Sequence, residues 1–120
     1  MTKVLVVDDD LDMCQIISDI LKEEGYSVSS SCKGKDALMK IKKNHYDLII
    51  LDYKLNEMSG LIILEKALQI RPSLQVMMIS AFGDKSIKTR ARELGVGDFL
   101  DKPFDIKRLI QAVQDILTKK

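Results

Sequence analysis

Tyr46-Asp47-Leu48-Ile49-Ile50-Leu51-Asp52 is the stretch that decides the fold. Four consecutive apolar residues, Leu48 to Leu51, run straight into the carboxylate of Asp52. An unbroken apolar run of strand length suits a strand buried on both faces, as in a parallel sheet. A charge is costly to bury without a partner, so Asp52 belongs at the rim of that sheet. Two other segments repeat the design. Lys3-Val4-Leu5-Val6-Val7 runs into Asp8-Asp9-Asp10, and Gln75-Val76-Met77-Met78-Ile79 runs into Ser80-Ala81. In an open α/β sheet such strand ends converge on one crevice, and that crevice is where a function is expected.

The remaining chain fills the intervals with helices. After the first strand, Asp10 is placed to N-cap a helix with Asp12 in its first turn, where negative charge meets the positive helix end. Met13, Ile16, Ile17, Ile20 and Leu21 recur at helical spacing as its core face, and Gly25 is its stop. Ser27 to Cys32 reads as a weaker strand, and Gly34 to Asn44 as a helix with Ala37, Leu38 and Ile41 inward. Beyond Asp52 a loop from Tyr53 to Ser59 leads to Gly60 and a third helix. That helix turns Leu64, Ala67 and Leu68 inward and ends before Pro72. A fourth strand, Gln75 to Ile79, precedes a less apolar helix with Ile87, Ala91 and Leu94 on one face and Gly95 as its stop. Asp98 to Asp101 is the fifth strand and Lys102-Pro103-Phe104 a turn. Asp105 then caps a last helix that carries Ile106, Leu109, Ile110, Val113, Ile116 and Leu117 at helical spacing. Five alternations of strand and helix mean right-handed βαβ units and a parallel sheet covered on both faces.

Composition narrows the function. At 120 residues the expectation is one domain, residues 1–120. A net charge of +1 gives no global reason for binding nucleic acid or a membrane surface, and none is expected of this domain. Two cysteines, Cys14 and Cys32, are too few for a zinc knuckle and fit reduced thiols. No apolar run approaches the ~20 residues of a membrane span, and the start lacks a signal-peptide core, so a cytoplasmic location is expected.

The chemistry lies at the strand ends. In a parallel sheet the ends of neighbouring strands stand about 5 Å apart, which brings Asp8, Asp9 and Asp52 together. Clustered carboxylates must protonate, separate or bind a cation. Mg²⁺ suits such a site, because it takes one or two carboxylates and keeps positions for phosphate oxygens. Asp10 and Asp12 read as helix-capping groups instead. Ser80 offers a hydroxyl to an anion in the crevice or a cap to the next helix. Lys102 can reach over the rim to balance phosphoryl charge. His45, the single histidine, precedes the Leu48 strand at the end remote from the crevice and reads as a surface residue. Lys85, Lys88, Arg90 and Arg92 do not line one face and read as solvated.

The ordered set Asp8-Asp9, Asp52, Ser80-Ala81 and Lys102-Pro103-Phe104, each closing a successive apolar strand, closely resembles the receiver domain of two-component response regulators. The resemblance covers essentially the whole chain, and Met58-Ser59-Gly60 also fits the family's loop. It implies a flavodoxin-like (βα)5 fold, a doubly wound five-stranded sheet of order 2-1-3-4-5. It implies Asp52 as phosphoacceptor, with Asp9, Asp52 and the Lys54 backbone carbonyl holding Mg²⁺ and Asp8 acting mostly through a bound water. Ser80 and Lys102 would each contact a phosphoryl oxygen, and the Lys102–Pro103 peptide would be cis. Phe99 stands where the family carries an aromatic switch that follows Ser80, altering the surface of the fourth helix, fifth strand and fifth helix. Lys54 and Phe82 occupy positions that overhang the site and tune phosphoryl lifetime, and the bulk of Phe82 predicts slow self-dephosphorylation.

The implied partners are a sensor histidine kinase or histidine phosphotransfer protein upstream, docking on the first helix and the nearby turn after the fifth strand. Downstream stands a target protein or a covalently linked output domain. The domain would catalyse only its own phosphorylation and dephosphorylation. The Lys102-Pro103-Phe104-Asp105-Ile106 segment and the Lys54 position look similar to single-domain phosphorelay intermediates of sporulation type. The chain would be a stand-alone regulator or an excised N-terminal domain, and the Lys-Lys ending and absent linker favour the first. Asn56, where proline is common, and Ser80, where threonine is commoner, depart from the family pattern. Two alternatives use part of the same pattern. One is a phosphatase resembling the haloacid dehalogenases, with Asp8 as nucleophile and Asp10 and Ser80 in support. The other is a receiver-like interaction domain that is never phosphorylated.

Overall fold

The computed structural model describes residues 1–55, 59–81, 85–96 and 98–118. Ten elements alternate: β1 (Lys3–Val7), α1 (Leu11–Glu23), β2 (Ser27–Ser31), α2 (Gly34–Lys43), β3 (Leu48–Asp52), α3 (Gly60–Ile70), β4 (Val76–Ala81), α4 (Lys85–Glu93), β5 (Asp98–Lys102) and α5 (Ile106–Thr118). The strands form one parallel sheet in the order β2-β1-β3-β4-β5. The flavodoxin-like arrangement expected from the sequence is therefore the one observed.

The central strands are apolar on both sides because both sides are covered. Val4, Val6, Ile50, Met77 and Ile79 pack against Ile17 and Leu21 of α1 and Leu109, Val113 and Ile116 of α5. Leu5, Val7, Ile49, Leu51 and Met78 face the other way, against Ala37, Ile41, Ile63, Leu64 and Ala67 of α2 and α3 and Ala91 of α4. The fully buried aliphatic side chains among these each contribute roughly 1.5–3 kcal/mol of transfer free energy. β2 lies at the sheet edge, where Ser29 and Ser30 are exposed, which explains its weaker apolar signal.

Helix ends follow the local chemistry. The Asp10 side chain accepts from the Asp12 and Met13 amides at 3.0 and 3.1 Å, and Asp105 accepts from the Arg108 amide at 2.7 Å. Gly25 and Gly95 take φ of +94° and +108°, left-handed values that end α1 and α4.

Three sequence expectations are corrected. Ile16 and Ile106, expected in the core, are 53% and 59% exposed. Their flanking positions lie outside the arc that the sheet covers, whereas Cys14, Ile17, Ser18 and Leu21 occupy its centre in α1. Ser80 does not follow β4 but lies within it, 2% exposed. Lys88 is not a solvated charge, since it bonds Asp101 of β5.

Candidate functional site

The strand ends assemble one acidic crevice. The β1–β3 register pairs Val7 with Leu51, and its next step brings Asp8 beside Asp52. Asp8, Asp9 and Asp52 each offer a carboxylate oxygen, and these atoms lie within 4.8 Å of one another. Asp8 and Asp52 are buried, at 1% and 5% exposure.

Each carboxylate is held differently. Asp8 Oδ1 accepts from the Asp10 amide at 2.9 Å, while Asp8 Oδ2 is buried without a hydrogen-bond partner. Burial, reinforced by the neighbouring Asp52 charge, pushes the Asp8 carboxyl up to about 6. Asp52 Oδ1 accepts from the Lys54 amide at 3.3 Å, and Asp52 Oδ2 pairs with Lys102 Nζ at 3.2 Å. Lys102 ends β5, and its peptide bond to Pro103 is cis. An orphaned, buried carboxylate oxygen beside two further carboxylates is the donor set expected for a hard divalent cation. The arrangement fits Mg²⁺.

Gly60 lets the loop after Asp52 close. Its amide donates to the Tyr53 carbonyl at 2.8 Å. A Cβ there would stand 2.7 Å from the Asp52 carbonyl oxygen and 2.8 Å from Tyr53 Cα, so a side chain would displace backbone directly behind the site. The sequence reading placed Gly60 in a family loop but missed this contact. The signal was a glycine at a helix start eight residues past the acid, and the close approach behind it is purely tertiary.

Ser80 stands at the site's edge, yet its hydroxyl donates to Asp101 Oδ1 at 3.3 Å. Asp101 also accepts from Lys88, at 2.6 Å to Oδ1 and 2.9 Å to Oδ2. Phe99 is half-buried against the α2–α3–α4 side of the core, with Lys88 and Arg92 5.9 and 5.1 Å from its ring centre. From sequence Asp101 is a strand end and Lys88 a solvated charge, and their pairing is not readable, because a short helix and an edge strand carry no pattern that links them. Phe82, together with Asn56, Glu57 and Met58 of the loop, lies outside the described residues. Asp10 caps α1 rather than joining the crevice, and Lys102 pairs with Asp52 rather than Asp8, so the dehalogenase-like constellation is not assembled.

Beside the crevice, Met13, Ile16, Ile20, Pro103, Phe104 and Ile106 line an open apolar groove of about 450 Å³. Among the described residues no helix is long and apolar enough to cross a membrane.

This fold and site have close counterparts. The sequence profile of the response regulator receiver domain matches residues 4–114, and the chain belongs to that family. It is a phosphorylation-activated signalling receiver of the two-component type. The transcriptional regulatory protein ZraR of Salmonella typhimurium is 32% identical over 114 residues, covering 95% of this chain and 26% of ZraR. The response regulator ArlR of Staphylococcus aureus is 34% identical over 120 residues, all of this chain and 54% of ArlR. The chain thus spans about a quarter to a half of these relatives. The crystal structure of a CheY-like receiver domain protein from Methanospirillum hungatei superposes with a TM-score of 0.94 at 27% identity, covering 99% of this chain and 95% of that one.

Proposed function

We propose that Asp52 accepts a phosphoryl group from a phosphohistidine, with Asp9, Asp52 and the Lys54 backbone carbonyl holding Mg²⁺ and Asp8 acting mostly through a bound water. The observation that carries this reading is the meeting of three carboxylates within 4.8 Å, one of them paired with Lys102. A carboxylate oxygen of Asp52 attacks phosphorus, the phosphorus–nitrogen bond breaks, the imidazole leaves, and Asp52 carries an acyl phosphate. Bound Mg²⁺ would supply charge neutralisation for the meeting of carboxylate and phosphoryl group. The chain's own contribution is placement and electrostatics. Lys102, already on Asp52 Oδ2, shifts onto a phosphoryl oxygen, and the Ser80 hydroxyl turns to another. The only reaction catalysed is this self-phosphorylation and its hydrolysis, with Lys54 and Phe82 tuning the second.

The new charge is read out through Ser80 and Phe99 to the α4–β5–α5 surface, which engages a target protein or a linked output domain. The donor is a sensor histidine kinase or a histidine phosphotransfer protein in the cytoplasm. The apolar groove between α1 and the Pro103–Ile106 turn suits the helix that presents its phosphohistidine, because the groove opens beside the crevice.

Incubation with MgCl2 and acetyl phosphate, followed by intact mass, tests this reading. The expected result is a Mg²⁺-dependent gain of one phosphoryl group that Asp52→Asn abolishes. No gain from acetyl phosphate or from a phosphorylated histidine phosphotransfer protein would favour the receiver-like domain that is never phosphorylated.

A further inference from the structure

Ser80 and Asp101 are register partners on β4 and β5, so their side chains leave the sheet on the same face. Phe99, two residues before Asp101, shares that face. Asp52 pairs with Ile79, one step out of phase with Ser80, and so projects from the other face. The Ser80 hydroxyl must therefore turn to reach a group on Asp52. It is instead engaged by Asp101 Oδ1 at 3.3 Å. A serine hydroxyl has one proton to donate, and while Asp101 takes it an oxygen on Asp52 cannot.

Asp101 is not free to yield. Lys88 grips both of its oxygens, at 2.6 and 2.9 Å, and only 18% of the lysine side chain and 32% of the aspartate side chain are exposed. The same Lys88 ammonium lies 5.9 Å from the Phe99 ring centre. One ion pair thus touches both the hydroxyl and the aromatic ring. The Ser80 contact is its longest hydrogen bond, and it is the one that gives way when a stronger acceptor arrives.

We propose that Asp101, anchored by Lys88, is a positioning residue that holds the Ser80 hydroxyl away from Asp52 and competes with the incoming phosphoryl group for its proton. The proposal rests on the reading of Asp52 as phosphoacceptor. It makes the resting state a latched one. Part of the binding energy at Asp52 goes into freeing Ser80, and the apparent affinity for a phosphoryl group is the intrinsic affinity multiplied by the fraction of molecules already unlatched. Release of Ser80 leaves Lys88 as the remaining partner of Asp101, and because Lys88 also lies over the Phe99 ring, a change at Ser80 is felt at α4.

Fluoroberyllate with MgCl2 serves as the phosphoryl probe, its affinity read from amide chemical shifts at equilibrium. Asp101→Ala should bind it about three- to tenfold more tightly than the wild type, the net worth of one ordinary competing hydrogen bond, as befits the long Ser80 contact. Asp101→Asn, which keeps the shape but weakens the acceptor, should shift in the same direction by less, and it carries the test if the alanine variant loses its folded spectrum. In a Ser80→Ala background the gain from Asp101→Ala should vanish, which neither simple charge repulsion nor a merely structural role would produce. Equal or weaker binding by both Asp101 variants overturns the latch while leaving the Asp52 reading intact, and so does a gain that persists without Ser80. Failure of the wild type to bind the probe overturns the Asp52 reading and the latch with it.

Discussion

The two rims of the sheet are built from the same kinds of residue and are opposite in their electrostatics. At the N-terminal rim the Asp47 carboxylate and the Arg71 guanidinium each meet a complementary backbone group. The Lys3 amide donates to Asp47 Oδ2 at 2.8 Å and the Asp47 amide to the Lys3 carbonyl at 2.8 Å. Arg71 donates to the Ile41 and Lys42 carbonyls at 3.0 and 3.4 Å. One orphan there is a neutral amide oxygen, Gln75 Oε1. At the C-terminal rim three carboxylates crowd together against one lysine, and the orphan is an oxygen of the buried acid Asp8. One rim closes the fold. The other holds unresolved charge that a cation and a phosphoryl group can satisfy. Sites that bind or react at the expense of stability take this form.

The comparison breaks most readily through the sign of stability changes. Asp8→Asn removes a buried charge that the metal-free fold opposes. In denaturant melts without Mg²⁺ at pH 7.5 the variant should gain up to about 3 kcal/mol. Loss of stability would show that the C-terminal rim is satisfied after all. The pH dependence follows with the same sign. The folded protein holds the Asp8 proton up to about 6 against a usual 3.8, so it binds more protons than the unfolded chain in that window. Stability in this window should therefore fall with rising pH, by the same ~3 kcal/mol for this one group, and the fall should be absent in Asp8→Asn. Asp36 has the opposite sign. The Ser31 hydroxyl, donating at 2.7 Å, holds its carboxyl below the usual range, so its contribution is present at neutral pH and lost on acidification.

Gly60→Ala should cost about 1–3 kcal/mol, because its Cβ meets backbone rather than a movable side chain. It should also weaken Mg²⁺ in a calorimetric titration, since the displaced backbone belongs to Asp52 and Tyr53. Unchanged Mg²⁺ affinity would separate that loop from the metal. Asp47→Ala, at the satisfied rim, should lose about 1 kcal/mol, the opposite sign to Asp8→Asn. The smallest stability effect belongs to Ile16→Lys and Ile106→Lys, within about 0.5 kcal/mol, because both residues are largely exposed. These two should nonetheless slow transfer from a phosphohistidine protein while leaving labelling by acetyl phosphate intact. Equal slowing of both would remove the groove from partner docking.

Much of this was legible in the chain. The runs around Val4 to Val7 and Leu48 to Leu51 reveal buried parallel strands, because a short run with no polar face must be covered on both sides. The acids that close them are readable because a charge after such a run has only the rim to occupy, whereas Lys102 ends a strand with no apolar run and is readable only with the rest of the set. What a linear pattern cannot carry is how far a neighbour reaches around a helix. Ile16 repeats with Ile17, Ile20 and Leu21, yet the sheet and α5 cover only one arc of α1, and Ile16 lies beyond it.

The alternating fold, the end of the sheet that carries chemistry and the carboxylates that meet there follow from the chain alone, since each depends on local apolarity and on the cost of burying charge. Packing between distant elements settled the rest. It left Asp8 Oδ2 without a partner, pressed Gly60 against the backbone of Asp52 and Tyr53, and set Asp101 and Lys88 as the keepers of Ser80. These are contacts between elements far apart in the chain, and sheet register and helix packing bring them together.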